Sequence, residues 1–347
     1  MKGLPIGGPF FTPRQFKRKE IMKIYSANQL LDKVNAYLAQ MPYDRPPHGL
    51  YEPVAYELSL GGKRIRPVLM LMAYNLYKDD VDSILSQAAG LETYHNHTLL
   101  HDDVMDKADM RRNKPTVHNV WNENTAILSG DAMLILAYRL MADCPSDKLK
   151  QVLDIFTATT MEICEGQQWD MEFETRSDVT VSEYIEMIRL KTSVLLAAAL
   201  KIGAYLAGAS MDDCNLLYEF GVKMGLAFQL QDDYLDVYGD PEVFGKNIGG
   251  DIACNKKTYM LITAWEKADE RQREELRYWL SYQAENMEEK IAAVVRLYDE
   301  IGIASLCIDK INTYYKEGLS ILDSIQLPVE RKEVLRAFVC GMMNREV

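Results

Sequence analysis

The sequence predicts an all-α fold in a single domain, and three observations carry that expectation. Apolar residues recur at three- and four-residue steps along most of the chain. Long alternating β-branched runs and Asn-Gly hairpin signals are absent. The strong breakers are few and sit between the periodic blocks. Composition agrees: of 347 residues, 48% are hydrophobic and 26% charged, which excludes disordered, collagen-like and low-complexity classes. A chain of this length needs more helices than a four-helix bundle holds, so others must be layered around a central set.

Taken in order, residues 1–21 are a basic leader without the apolar stretch of a secretory signal, read as a disordered arm or an upstream start. Residues 22–347 are read as the folded domain, with helical periodicity over 24–39, 68–77, 83–100, 126–142, 149–161, 182–190, 215–235, 257–265, 288–297 and 334–343. Breakers fall at Pro42, Pro46, Pro47, the Gly61-Gly62 pair, Pro145 and between Gly239 and Gly250; Ser182 before Glu183 reads as a helix cap. The most apolar stretch, residues 193–210, is short for a membrane span and carries Lys201 in its middle, so it is expected to be a buried helix without stable membrane insertion. With no signal or span, a cytoplasmic location is expected. The net charge of −12 argues against a nucleic-acid partner. The six widely spaced cysteines contain no CxxC pair, which suits a reducing compartment and disfavours a disulfide framework or a zinc site.

Two acidic clusters carry the chemistry. Asp102, Asp103 and Asp106 form one DDxxD; Asp232, Asp233 and Asp236 form the other. On a helix the first and last aspartates of each share a face, one turn apart. Three carboxylates so close repel one another unless a cation compensates. Oxygen-only donors select hard cations, with Mg²⁺ the natural choice, and Mg²⁺ completes its shell with water and substrate phosphate oxygens. One such cluster is easily a solvated helix face; two, each behind an apolar helical run, are not. Cations lie at matching places. GGKRIRP brings Lys63 and Arg66 behind a glycine turn, Arg111 and Arg112 follow the first cluster, Lys191-Thr192 interrupts an apolar helix, and Lys246 and Lys256 flank the glycine-rich loop after the second. Paired arginines also often do no more than bridge nearby aspartates. Glu92 and His95 form an ExxH pattern, but a di-iron bundle needs a second one and the sequence has none.

GGKRIRP, DDVMD followed by RRNKPTVH, LKT, FQLQDDYLD and the GK…D…K loop, in this order and spacing, resemble the all-trans isoprenyl (polyprenyl) diphosphate synthases from about Leu31 onward. The resemblance implies ten or more helices around a central catalytic cavity, the isoprenoid synthase fold, usually as a homodimer. It implies a short-chain enzyme in which an allylic diphosphate ionises, isopentenyl diphosphate attacks the carbocation and a proton is lost. Position by position, it implies that Asp102 and Asp106 bind two Mg²⁺ ions and Asp232 a third, with Asp103, Asp233 and Asp236 in support. Arg111, Lys191, Lys246 and Lys256 would hold the allylic diphosphate. Lys63, Arg66, His95 and Arg112 would hold isopentenyl diphosphate. Thr192 and Gln229 would face the developing cation, and Gln167 and Asp170 of GQQWD are a further match. A class I terpene cyclase normally lacks GGKRxRP and a second DDxxD. A non-catalytic regulatory subunit usually has degraded aspartate motifs, and both motifs are intact here.

Product length should be set by side chains one and two turns before Asp102, which are Thr98, His97 and Tyr94. Thr98 and His97 depart from the double-aromatic pattern that goes with farnesyl products, and a two-residue insertion in the first motif is absent. Tyr94, one turn deeper, is the expected floor, which leans the reading to a geranylgeranyl (twenty-carbon) product, then a farnesyl one, then longer chains.

Overall fold

The computed structural model describes residues 22–240, 248–282 and 286–343. The leader over 1–21 lies outside the described residues. Ser26 opens the first helix, α1 (Ala27–Ala39), with a capping box in which its hydroxyl accepts from Gln29 N and the Gln29 side chain accepts from Ser26 N. The chain continues through α2 (His48–Ser59), α3 (Ile65–Asn75) and a 3₁₀ turn (Val81–Ile84) into α4 (Leu85–Met105), the helix of the first acidic cluster. A two-stranded ladder, β1 (Met110–Arg111) and β2 (Lys114–Pro115), precedes α5 (Val117–Val120), α6 (Glu123–Met141) and α7 (Ser146–Thr175). Then come α8 (Val181–Ile188), a π turn (Arg189–Ser193), α9 (Val194–Ala207) and α10 (Met211–Tyr238), which carries the second cluster. Helices α11 (Gly250–Ala253), α12 (Tyr259–Lys267), α13 (Glu270–Ser281), α14 (Met287–Ile301), α15 (Ile303–Ser324) and α16 (Val329–Met343) complete the layers.

Helix α9 is the central post. It packs between α3 and α10 and against α7, while α4 lies along α6 and α10 along α15. Every residue from 194 to 200 is buried, which explains a sequence apolar on all sides. The continuous helix 181–207 is long and apolar enough to cross a membrane, but 78% of its most apolar window is buried inside the protein, so it is a core helix. Lys201 lies beside the Tyr218 ring, 5.2 Å from its centroid. Two large apolar clusters sit on either side of α10. One joins α1, α3, α4, α9 and α16, and the other joins α8, α10 and α12 to α15.

Several elements differ from expectation for identifiable reasons. Helix α7 runs well past residue 161, because its second half carries Glu165, Gln167, Gln168 and Asp170 and so loses the apolar rhythm. Helix α2 was hidden by Pro47 at its cap and Pro53 inside it. Thr180, not Ser182, caps α8, with Glu183 completing the capping box. The β1–β2 turn places Arg112 and Asn113 at φ of 52° and 62°, a left-handed pair that needs no glycine when asparagine is one of its members.

Candidate active site

The two DDxxD clusters lie at the C-terminal ends of α4 and α10, and the π turn between α8 and α9 stands beside both. That turn exists because the chain is squeezed there by two neighbours. A Cβ on Gly166 of α7 would fall 2.4 Å from Lys191 N, and one on Gly225 of α10 would fall 2.6 Å from Ser193 Cα. With no Cβ, both helices reach the turn at backbone distance. A π turn inside a helix is costly and tends to mark a functional site; this one carries Lys191 and Thr192.

Lys191 Nζ lies 2.6 Å from Asp170 Oδ2 and 3.7 Å from Asp102 Oδ1, so one ammonium draws α4 and α7 together. Asp106, the C-cap of α4, has its carboxyl raised above the usual range by burial and then by the neighbouring Asp102. The middle aspartate of each motif turns inward, as the helical spacing requires. Asp103 is 2% exposed and takes a bidentate pair from Arg111, with bonds of 2.6 to 2.9 Å. Asp233 is 3% exposed and accepts from Gln229 Nε2 at 3.0 Å and from the Tyr184 hydroxyl. Burial raises the Asp233 carboxyl, opposed by the Lys256 charge and reinforced by Asp251. Asp236 accepts from Asp251 N at 2.9 Å, which ties the second motif to the N-terminal turn of α11. Lys256 is 3.7 Å from Asp251; desolvation would lower its ammonium, but Asp251, Asp233, Asp170 and Asp232 outweigh it and hold the lysine above its ordinary value.

A cavity of about 320 Å³ opens between α4, α7 and the π turn. Asp102, Lys191 and Thr192 line its polar end, Arg66 and His95 one side, and Tyr94 and Ile163 the apolar depth. Arg66 Nη1 is 3.0 Å from His95 Nε2. Burial first, then Arg66, lowers the His95 pKa well below normal, so the neutral ring accepts from Arg66 and carries its proton on Nδ1. Thr192 Oγ1 donates to Gln229 Oε1 at 3.0 Å. Tyr94 is 2% exposed; its ring packs edge-on against Phe156 at 5.4 Å and its hydroxyl reaches Thr160 O at 3.4 Å. His97 and Thr98 also line the cavity, but His97 leans toward α6 and donates from Nδ1 to Gly130 O at 2.9 Å. Burial, then His101, lowers the His97 pKa to about 4, so its ring is neutral.

The basic residues divide. Arg111 bridges the nearby aspartate, as paired arginines often do. Arg112 instead folds back onto the Gly61 carbonyl and lies against Gly62. In the GGKRIRP turn it is Arg64 that is buried, at φ 48° and paired with Glu92 at 2.7 Å, so this residue builds the turn. Lys63 is exposed and lines a separate groove between α1 and α16. Lys246 lies outside the described residues. Sequence reasoning missed Tyr184, Asp251, Cys164 of the cavity wall and Glu57, a fully buried carboxylate with both oxygens unpaired. None of these had a motif of its own; Asp251 was visible only as the D of the loop pattern.

The first aspartate motif and the lysine-bearing π turn stand at one end of an apolar cavity, and the second motif is joined to that turn through Gln229, an arrangement suited to an anionic group with an apolar tail. Residues 47–298 match the polyprenyl synthetase family, and the chain belongs to it as an isoprenyl diphosphate synthase, a trans-prenyltransferase. The chain is 38% identical over 308 residues to a geranylgeranyl diphosphate synthase of Methanosarcina mazei, covering 88% of this chain and 92% of that one. It is 42% identical over 262 residues to a short chain isoprenyl diphosphate synthase of Methanocaldococcus jannaschii, covering 75% and 79%. Among solved structures, a geranylgeranyl pyrophosphate synthase superposes with a TM-score of 0.89 at 43% identity, covering 93% of this chain and 100% of that one.

Proposed function

We propose that residues 22–347 form one catalytic domain that condenses isopentenyl diphosphate with allylic diphosphates and stops at geranylgeranyl diphosphate. The observation that carries the reading is the single cavity running from Asp102 and Lys191 at its mouth to Tyr94 at its depth. The donor set fits a hard cation: every candidate ligand is a carboxylate oxygen, and Asp102 and Asp106 need a counter-charge. Among the described residues no three such groups already converge as a cage, which suits an ion that takes the rest of its shell from water and phosphate. Asp102, Asp106 and Asp232 would hold Mg²⁺, three ions in this reading, and the metal supplies charge neutralisation for the departing diphosphate.

The chain's own residues do the rest. Lys191, Lys256, Lys246 and Arg111 bind the allylic diphosphate, and their charges count for more as its negative charge grows. Arg66, His95 and Arg112 bind the isopentenyl diphosphate, and Lys63, which lines the groove between α1 and α16, would join them only by turning out of that groove. Thr192 and Gln229 present oxygen atoms beside the carbon that becomes cationic. The allylic C–O bond breaks, the new C–C bond forms, and the lost proton passes to the released diphosphate, so no further side-chain base is required. Tyr94 and Ile163 keep water from the cation. Exposed Ile127, Leu128 and Ile135 on α6 are 45%, 60% and 70% accessible and support a homodimer through that helix.

The test is a product assay with Mg²⁺, isopentenyl diphosphate and, separately, dimethylallyl, geranyl and farnesyl diphosphates, sized by mass spectrometry. A twenty-carbon end point is expected from all three. Accumulation at fifteen carbons or a long ladder would overturn the length assignment, and no condensation with any starter would overturn the enzyme.

A further inference from the structure

We infer that Tyr184 is a positioning residue for the ionisation step, acting through Asp233 and Gln229 on Thr192. This deepens the prenyl-transfer reading and rests on it. Tyr184 is 1% exposed, sits on α8 eight residues before Thr192, and donates its hydroxyl to Asp233 Oδ2. Asp233 Oδ1 accepts from Gln229 Nε2 at 3.0 Å, and Gln229 Oε1 accepts from Thr192 Oγ1 at 3.0 Å. The four side chains therefore close a circuit. Two rungs join the α8–π segment to α10, and Gln229 and Asp233, one turn apart on α10, link the rungs.

The circuit has a direction that matters chemically. A side-chain amide can present either its oxygen or its NH₂, and only the oxygen is favourable beside a developing carbocation. An acceptor at Asp233 holds the NH₂ end of Gln229 away from the cavity. The Gln229 oxygen then takes the Thr192 proton, which leaves the lone pairs of the Thr192 hydroxyl free, and Thr192 lines the cavity. Asp233 can hold that amide only while its own carboxylate is fixed, and Tyr184 occupies its second oxygen from the far side. Loss of the Tyr184 hydroxyl frees the carboxylate to swing and the amide to turn, which directs partial positive charge at the reacting carbon. Tyr184 touches no substrate, so its loss should be felt in turnover and not in binding.

The experiment is steady-state kinetics of Tyr184→Phe, Thr192→Val and the double variant, with Tm measured in parallel. For Tyr184→Phe, kcat is expected to fall by about 10- to 100-fold, the range typical of residues that orient a catalytic group, with KM for both diphosphates within about twofold. In the Thr192→Val background the same substitution should cost less than about threefold more, because the group it orients is gone. An unchanged kcat, or losses that multiply fully in the double variant, overturns the inference. So does a raised KM that tracks a lowered Tm, since that is what a merely structural tyrosine would give. If Tyr184→Phe does not fold, Asp233→Asn offers Gln229 a donor in place of its acceptor, turns the amide and is expected to give the same kcat-only loss; normal turnover in it overturns the inference equally. A wild-type chain that condenses no substrate would instead remove the prenyl-transfer reading itself.

Discussion

At the scale of single residues, Glu57 is the place where burial and charge conflict most openly. It is fully buried on α2 with no partner for either oxygen, and its carboxyl is pushed up to about 7, first by desolvation and then by Asp103, against the pull of Arg111, Arg112 and Arg64. The folded value lies above the ordinary one of 4.5, so between those pH values the folded chain keeps a proton that the unfolded chain releases. Stability therefore falls as pH rises through that window, by a cost on the order of 3 kcal/mol if the group stays desolvated. Glu57→Gln is expected to flatten the Tm profile between about pH 4.5 and 7 and to raise Tm at pH 8; parallel profiles for the two chains would refute this. Sequence could not expose Glu57, because Pro47 and Pro53 hid the helix that turns it inward beside Val54 and Leu58. The aspartates were legible for the opposite reason: the four-residue spacing alone fixes which members share a face, and Asp103 and Asp233 turn inward as that spacing demands.

Among the elements, the π turn decides how the site is assembled. A lysine interrupting an apolar helix was visible in the sequence; the widened turn that carries it was not, because it arises from contacts with Gly166 and Gly225 on two distant helices. Gly225→Ala places a methyl group 2.6 Å from Ser193 Cα, inside any normal contact distance. The expected outcome is a loss of about 1–3 kcal/mol by thermal or denaturant unfolding, as for other overpacked cores. It should come with a kcat defect larger than the change in KM, since Lys191 and Thr192 move with the turn. A variant with wild-type Tm and kcat would mean that α10 does not seat the turn. The second half of α7 shows the same limit on reading: Gln167 and Gln168 line the cavity, and a helix that lines a site loses the periodicity by which helices are found.

For the whole molecule, the all-α layering followed from periodicity, whereas the cavity is a property of where the layers stop short of one another. The carboxylates around it do not form a cage by themselves among the described residues. Mg²⁺ alone is therefore expected to leave Tm nearly unchanged, while Mg²⁺ with inorganic diphosphate raises it, and chelation abolishes turnover until Mg²⁺ is restored. A large Tm increase with the metal alone would point to a ready-made site. Tyr94→Ala is expected to extend the product by at least one five-carbon unit, and an unchanged product ladder would remove Tyr94 as the floor. Tyr94 is also a member of the largest hydrophobic cluster, packed against Phe156, which also meets Tyr138 edge-on. A ruler at Tyr94 would thus be cut from the same material that holds the protein folded. Lengthening the product means hollowing the core, at about 3–5 kcal/mol for a large aromatic reduced to alanine. Product length and heat tolerance should consequently move in opposite directions across variants of this helix, and a lineage that drifts toward longer prenyl chains must first acquire stability elsewhere.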